Sequence, residues 1–536
     1  MLRAIVILAF SFTVPAQVPD FRAEAIRAHM KFLASDLLEG RGAATRGHDL
    51  AAAYVAAQFE AAGLAPGAGE SYYQVVPFLR TIAGAQSTVT LHPDRGAPLL
   101  LKIGDGFATS GDPLHAERTV SGSLVVAGYG VTAPELGHDD YAGIDVRGKI
   151  VVIFSGAPDR FEGTLRAHYS SSLGKIETAA AHGAAAVITV DHREEGDRVP
   201  WSRVVRQSRL GAMHWVDAAR VPHGVNASVS HSLALDPDVF GSLLAAAGRP
   251  LPALRQSLER STFRSFVLPM RATIRIVSSH ELVESANVVG LVRGSDPALR
   301  QEYLVYSSHL DHLGISEPVD GDTINNGAFD NASGSAALIE IARAMAATRP
   351  APRRSILFLA TTAEEKGLRG ADYFAGNPTV PAGGLAGNIN IDQIMMVEAV
   401  RDVIVHGIDA SSLGEAARTA AVRAGVEISP DPAPEEVVFV RSDQYAFIRR
   451  GIPALYIDAG YLALDAAVDA QVSRRKWVKE RYHTPKDDLE QRLDYGVPAM
   501  VARFAFLVGL EAANADAAPA WLPGNFFGEK FGRGRR

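Results

Sequence analysis

Five places in the second half of this sequence put metal-type donors where a folded sheet would present them. His309-Leu310-Asp311-His312 follows an apolar, strand-like run at 303–308, and Asp330 stands at the entrance of a helical pattern that begins near Ser333. Glu364-Glu365 follows a strand pattern at 355–361, Asp392 ends one at 388–391, and His483 lies beyond one at 454–457. In a sheet covered by helices, functional groups collect just past the carboxyl ends of the strands. His and carboxylate donors without sulfur suit zinc, and also manganese or cobalt. Two divalent ions about 3.5–4 Å apart need a bridging carboxylate, and such a pair acidifies a shared water and polarises a carbonyl. A neighbouring carboxylate outside the ligand set then takes the water's proton. Glu364 and Glu365 leave the backbone in different directions, one for each task.

Each residue also has an ordinary role. Asp330 suits a helix cap. Glu364-Glu365 suits a solvated helix start, favoured there by the helix dipole. The in-order recurrence of donors at strand ends outweighs these separate readings. His280, His312 and His406 have no matching role and are read as structural or surface residues.

The elements that must position these donors alternate. Strand patterns at 287–292, 303–308, 355–361, 388–392, 403–406 and 454–457 are separated by helical patterns at 333–347, 413–424 and 443–449, which predicts an α/β domain with a mainly parallel mixed sheet flanked by helices. Upstream, helical patterns at 23–37 and 47–62 flank a glycine-rich loop at 39–42, and strands are predicted at 72–78 and 87–91. From residue 121 the texture becomes that of a small β-rich domain, so the expected organisation is a catalytic domain over 21–120 and 271–515 interrupted by an insert at 121–270. Residues 516–536 form a tail, with Phe526, Phe527, Phe531 and a basic end, expected to be a disordered terminus.

Composition narrows the classes. The chain has 536 residues, 47% hydrophobic and 21% charged, with no low-complexity tract and no second long apolar run after the first. That first run, residues 4–14 after Arg3 and before Val14-Pro15-Ala16, reads as a removable export signal over residues 1–16. It falls short of the roughly 20 apolar residues a bilayer span needs, so no membrane span is expected after its removal. A net charge of −7 argues against nucleic acid as a partner. The absence of cysteine excludes disulfides, thiolate metal ligands and a cysteine nucleophile.

Several segments together resemble the M28 family of zinc metallopeptidases, whose larger members carry a protease-associated domain. They are 309–314 (His-Leu-Asp-His-Leu-Gly), 326–334 around Asp330, 362–365 (Thr-Ala-Glu-Glu), 390–392 (Asn-Ile-Asp) and 482–488 (Tyr-His-Thr-Pro-Lys-Asp-Asp). Asp330 precedes Glu365 by 35 residues, and Glu365 precedes Asp392 by 27, as in that family. The segments at 38–42, 62–66, 121–190, 287–290 and 441–447 extend the likeness over most of the chain.

The resemblance implies a zinc exopeptidase-like fold with an inserted protease-associated domain and two zinc ions per chain, replaceable by manganese or cobalt. His309 and Asp392 would hold one ion, Glu365 and His483 the other, and Asp330 would bridge them. Glu364 would be the general acid/base, Asp311 would fix the His309 ring, and Tyr482 would help stabilise an oxyanion. Three departures stand out. Phe329 replaces a common acidic residue, Gln444 a frequent histidine, and Met395-Met396 smaller residues at an expected pocket wall.

The expectation is an exported aminopeptidase, periplasmic or secreted, that removes N-terminal residues from peptides with a zinc-activated water. A carboxypeptidase or other amidohydrolase, with Arg441 or Arg449 gripping a terminal carboxylate, is the nearest alternative. A single-metal glutaminyl cyclase and a non-catalytic receptor stand further off, since no ligand position is lost. Oligomeric state is not legible at this level.

Overall fold

A computed structural model describes residues 19–229 and 231–532. The export signal expected at residues 1–16 lies outside the described residues. Four strands at the heart of the molecule run parallel, in the spatial order Ser355–Thr361, Tyr303–His309, Leu385–Ile391 and Ala454–Ala459. Every residue of all four is buried. Burial on both faces explains why their sequences are near-continuous apolar runs and not alternating ones. Antiparallel neighbours extend the sheet on both sides. Asp402–His406 pairs with Ala454–Ala459, and the second half of the long Phe266–Val292 strand pairs with Ser355–Thr361. Beyond the latter lie Tyr73–Ala83 and then Ala212–Trp215. The sheet is therefore mixed, parallel at its centre, with helices on both faces, as the alternating pattern predicts.

The main core lies between this sheet and the helices Ala23–Leu33, Arg46–Ala61, Gly334–Ala347, Leu413–Ala424 and Gly496–Asn514. Gly496–Asn514 is a long apolar run that the composition reading passed over; it has the length and hydropathy of a membrane span. Val501, Ala502, Phe504, Ala505, Leu507 and Val508 are fully buried along it, so its apolar character serves internal packing.

The first half of Phe266–Val292 belongs to a second sheet. There it pairs on one side with Thr88–Pro93 and on the other with Glu117–Val126, followed by Ile150–Phe154, Ala186–Val190 and Ser232–Leu235. This sheet has its own core, with Val126, Ile150, Val152, Phe154, Ile188 and Ile274 fully or almost fully buried. One 27-residue strand thus runs through both sheets.

As far as residue 532 the tail packs on the body, contrary to the expected disordered terminus. Phe527 is fully buried against Phe439, Tyr445 and Ile448, and Trp521 Nε1 donates to the Gly451 carbonyl at 3.0 Å. Aromatic spacing in a short helix, Phe526–Phe531, supplied the apolar face that terminal position alone had argued against.

Candidate metal centre

Register brings the donors side by side. His309 pairs with Thr361 and Ser307 with Asn390, so the loops carrying His309, Glu364-Glu365 and Asp392 leave neighbouring strand ends. Asp330 arrives on the turn preceding the Gly334–Ala347 helix. Its two carboxylate oxygens face opposite ways: Oδ1 is 3.1 Å from His309 Nε2, and Oδ2 is 3.1 Å from His483 Nε2. Asp392 Oδ1 approaches His309 Nε2 at 2.9 Å, and Glu365 Oε2 approaches His483 Nε2 at 3.2 Å. All five residues named from the sequence therefore converge, in two groups that share Asp330.

The loops are locked to one another by amides. Asn331 Nδ2 donates to Ser308 Oγ at 3.0 Å and to the His309 carbonyl at 3.3 Å, while its Oδ1 accepts from the backbone N–H groups of Gly334 and Gln393, each at 3.0 Å. Asn331, not Asp330, therefore satisfies the helix start, which leaves the Asp330 carboxylate to the centre. Ala363, Gln393 and His483 all have positive φ (53°, 45° and 56°). Non-glycine residues rarely adopt that conformation, and here it sits beside Glu364, beside Asp392 and on His483 itself.

The electrostatics are those of a site built for cations. Glu364, Glu365, Asp330 and Asp392 crowd a largely buried space. Burial opposes charge on His309 and His483, yet the carboxylates outweigh it. Asp392 and Glu364 hold His309 well above the usual histidine range, and Glu365 and Asp330 raise His483 to about 9. Burial, with Asp392 and Glu365, pushes the Glu364 carboxyl well up. For Asp330 and Glu365 burial again opposes charge, and the facing histidines overcome it and hold both carboxylates low. Protons thus do the neutralising that bound divalent ions would do. Two sets of three donors have ligand atoms within 4.8 Å of one another, His309-Asp330-Asp392 and His312-Asp330-Glu365. Nitrogen and carboxylate donors in that arrangement fit zinc.

Residues 287–508 match the family model for Peptidase family M28, and residues 120–224 match that for the PA domain. The second half of this chain is thus similar to the M28 peptidases. A probable zinc metalloprotease of Leptosphaeria maculans is 35% identical over 129 residues, which are 24% of this chain and 28% of that protein. One of Pyrenophora tritici-repentis is 27% identical over 262 residues, 44% of this chain and 59% of that protein. Both alignments span less than two thirds of the relatives' lengths. Among solved structures, the aminopeptidase from Aneurinibacillus sp. strain AM-1 superposes with a TM-score of 0.54 at 22% identity, covering 91% of this chain and 93% of that one. That likeness supports the fold.

Within the stretch similar to M28 peptidases, Asp311 does its work differently from the sequence expectation. Its backbone carbonyl, 3.0 Å from His309 Nδ1, holds the ring, while its carboxylate accepts from the Glu364 N–H at 3.0 Å and the Glu365 N–H at 3.4 Å. The Asp311 side chain therefore fixes the glutamate loop. Tyr482 stacks on the His483 ring, centroids 3.8 Å apart, and its Oη accepts from Arg441 Nη2 at 3.3 Å. Arg449 points away, pairing with Glu177 at 3.2 Å. Gln444 is fully buried, accepting from Asn390 Nδ2 at 2.8 Å and donating to the Phe439 carbonyl, so it braces the Asp392 strand and touches no open space. Phe329 stacks on Trp477, and Met395 and Met396 are buried in the main core.

Sequence reasoning passed over two residues here. His312, read as structural or surface, is fully buried with Nδ1 2.6 Å from Glu365 Oε1. Asp487 carries the Asp330 loop: its carboxylate accepts from the N–H of Phe329 at 2.9 Å and of Asp330 at 3.0 Å, and burial lifts its pKa to about 6. Both sit inside segments that carry the family resemblance, which was the available signal.

Proposed function

We propose that this chain is an exported aminopeptidase that holds two zinc ions, one by His309 and Asp392 and one by Glu365 and His483, with Asp330 between them. The observation that carries this reading is the two-sided presentation of Asp330, each oxygen 3.1 Å from the Nε2 of a different histidine. When bound, such ions supply Lewis acidity toward a peptide carbonyl and make a nearby water acidic enough to lose a proton near neutral pH.

The protein's own groups do the rest. Glu364 lies among these carboxylates and is the one left outside the ligand set. As the carboxylate without a ligand role, it is the group to accept a proton from water and return it to the leaving amine. Asp311 holds the Glu364 backbone in place while it does so. Tyr482 accepts a hydrogen bond from Arg441 and so keeps its own hydroxyl proton to offer a developing oxyanion. Export rests on residues 1–16 and is tested by the N-terminal sequence of the mature protein, expected to begin just after Ala16.

The deciding assay is a panel of amino-acid amides, peptides and N-blocked peptides run beside metal analysis of the same sample. Cleavage that requires a free amine, with two zincs per chain, is expected. Dependence on a free terminal carboxylate would make it a carboxypeptidase instead, and one tightly bound ion per chain would favour the cyclase.

A further inference from the structure

The two histidines of the centre are held from behind in different ways. His309 is held locally, by the carbonyl of Asp311 two residues on. His483 is not. Its Nδ1 lies 2.6 Å from Nε2 of the Gln207 side-chain amide, more than 270 residues away in sequence, on the helix Trp201–Arg209. That helix falls inside the stretch that matches the PA domain.

The contact is part of a fixed platform. Arg206 Nη2 donates to the His483 carbonyl at 3.1 Å, and Arg203 Nη2 donates to the Lys479 carbonyl at 2.9 Å. From the other side Lys366, next to Glu365, donates through Nζ to the Leu210 carbonyl at 3.2 Å. The chain then joins the catalytic sheet, with Ala212–Trp215 pairing antiparallel to Thr81–Phe78. A cleft of about 260 Å³ runs along this seam, lined by Gln207, Ser208 and Leu210 on one side and Glu365, Lys366 and His483 on the other.

We propose that Gln207 is a positioning residue for the metal centre, by which the inserted domain sets the tautomer and angle of the His483 ring. A histidine that binds a metal through Nε2 must carry its proton on Nδ1 and donate it. The two ends of a glutamine amide are sterically equivalent, and the end that accepts is the carbonyl oxygen. Gln207 turned with that oxygen toward Nδ1 leaves Nε2 bare, aimed between Asp330 and Glu365. Tyr482, stacked on the face of the imidazole, restrains its tilt. The insert is then a built-in component of the centre and not merely a cover, and the ion on the His483 side depends on it while the ion on the His309 side does not.

This inference rests on the two-zinc reading, and the test separates the two. Full-length protein and the variants Gln207→Leu and Gln207→Glu are titrated with zinc against a competing chelator, and the cobalt-substituted forms are compared by visible absorption. Gln207→Leu should weaken one of the two zinc sites by about 10–100-fold and shift the cobalt bands, leaving the other site unchanged. Gln207→Glu, which still accepts from Nδ1, should restore both. The metal-free proteins should share one melting temperature, which sets aside a folding defect. Two sites of wild-type affinity and an unshifted cobalt spectrum in Gln207→Leu would overturn the positioning role and leave the two-zinc reading standing. Wild-type protein that binds fewer than two ions would overturn both.

Discussion

Glu364 and Glu365 are chemical equals that the fold makes unlike. Glu365 faces His312 and His483 and stays ionised, whereas Glu364 is buried near Asp392 and Glu365 and is pushed toward its protonated form. Replacing Glu364 by Gln keeps size and hydrogen bonding but removes the transferable proton. Turnover should fall by about 10²–10⁴-fold with zinc content per chain unchanged, as read by kinetics and metal analysis on one preparation. Turnover near the wild-type rate would take the proton-transfer role from this residue. Asp487 works at the same scale. Its carboxylate is the acceptor for two buried N–H groups beside Asp330. Asp487→Ala strands both donors and should cost about 3 kcal/mol in urea unfolding of the metal-free protein. Wild-type stability in that variant would mean that water satisfies those amides equally well.

At the scale of elements, the apolar runs of the parallel strands and the Gly496–Asn514 helix meet at a close contact. Tyr306 projects from its strand, stacks on Phe358 with centroids 5.3 Å apart, and donates its hydroxyl to the Ala505 carbonyl at 2.7 Å. A Cβ placed on Gly509 would lie 1.8 Å from that hydroxyl and 2.5 Å from the ring carbon bearing it. The helix can lie this close to the sheet because position 509 has no side chain. Gly509→Ala should therefore be destabilising in spite of alanine's better helix propensity, by about 2 kcal/mol, seen as a lowered melting temperature. A rise in melting temperature would mean that the strand and helix can separate cheaply.

At the scale of the molecule, His168 joins three parts of the chain. It lies on the helix Gly163–Ser170 within the PA-like stretch, where its Nδ1 is hydrogen-bonded with Tyr445 Oη at 2.7 Å, and its ring packs among Phe526, Phe527 and Phe531 of the tail. Burial first, then Lys530 and Arg449, lower its pKa from 6.5 to about 3. The unfolded chain therefore takes up a proton before the folded one does. The stability that depends on neutral His168 is complete above pH 6.5 and is lost progressively as pH falls toward 3. His168→Phe should lose less of its melting temperature between pH 7.5 and pH 5 than wild type does. Equal losses in the two proteins would place the acid sensitivity elsewhere.

What the sequence determined by itself was the kind of domain and which donor side chains gather at its strand ends. Runs of Ile, Leu and Val bounded by polar residues are a local property, and the end of each run fixes where the next side chain emerges, so His309, Glu365 and Asp392 were legible as strand-end donors. Asp330 and His483 needed their motifs as well, because each arrives on a loop with no such run directly before it. What only the tertiary structure decided was who stands behind them. Asn331 tying three loops, Asp487 carrying Asp330, Gln207 facing His483 and the tail closing over Phe439 are contacts between segments far apart in the chain. Their side chains have no periodicity that points to a partner, and Asn, Gln and Asp read equally well as surface residues until packing buries them. The physical reason is that strand and helix patterning is set by neighbours along the chain, whereas the hydrogen bonds that orient a metal ligand are set by which loops the closed sheet brings within about 3 Å.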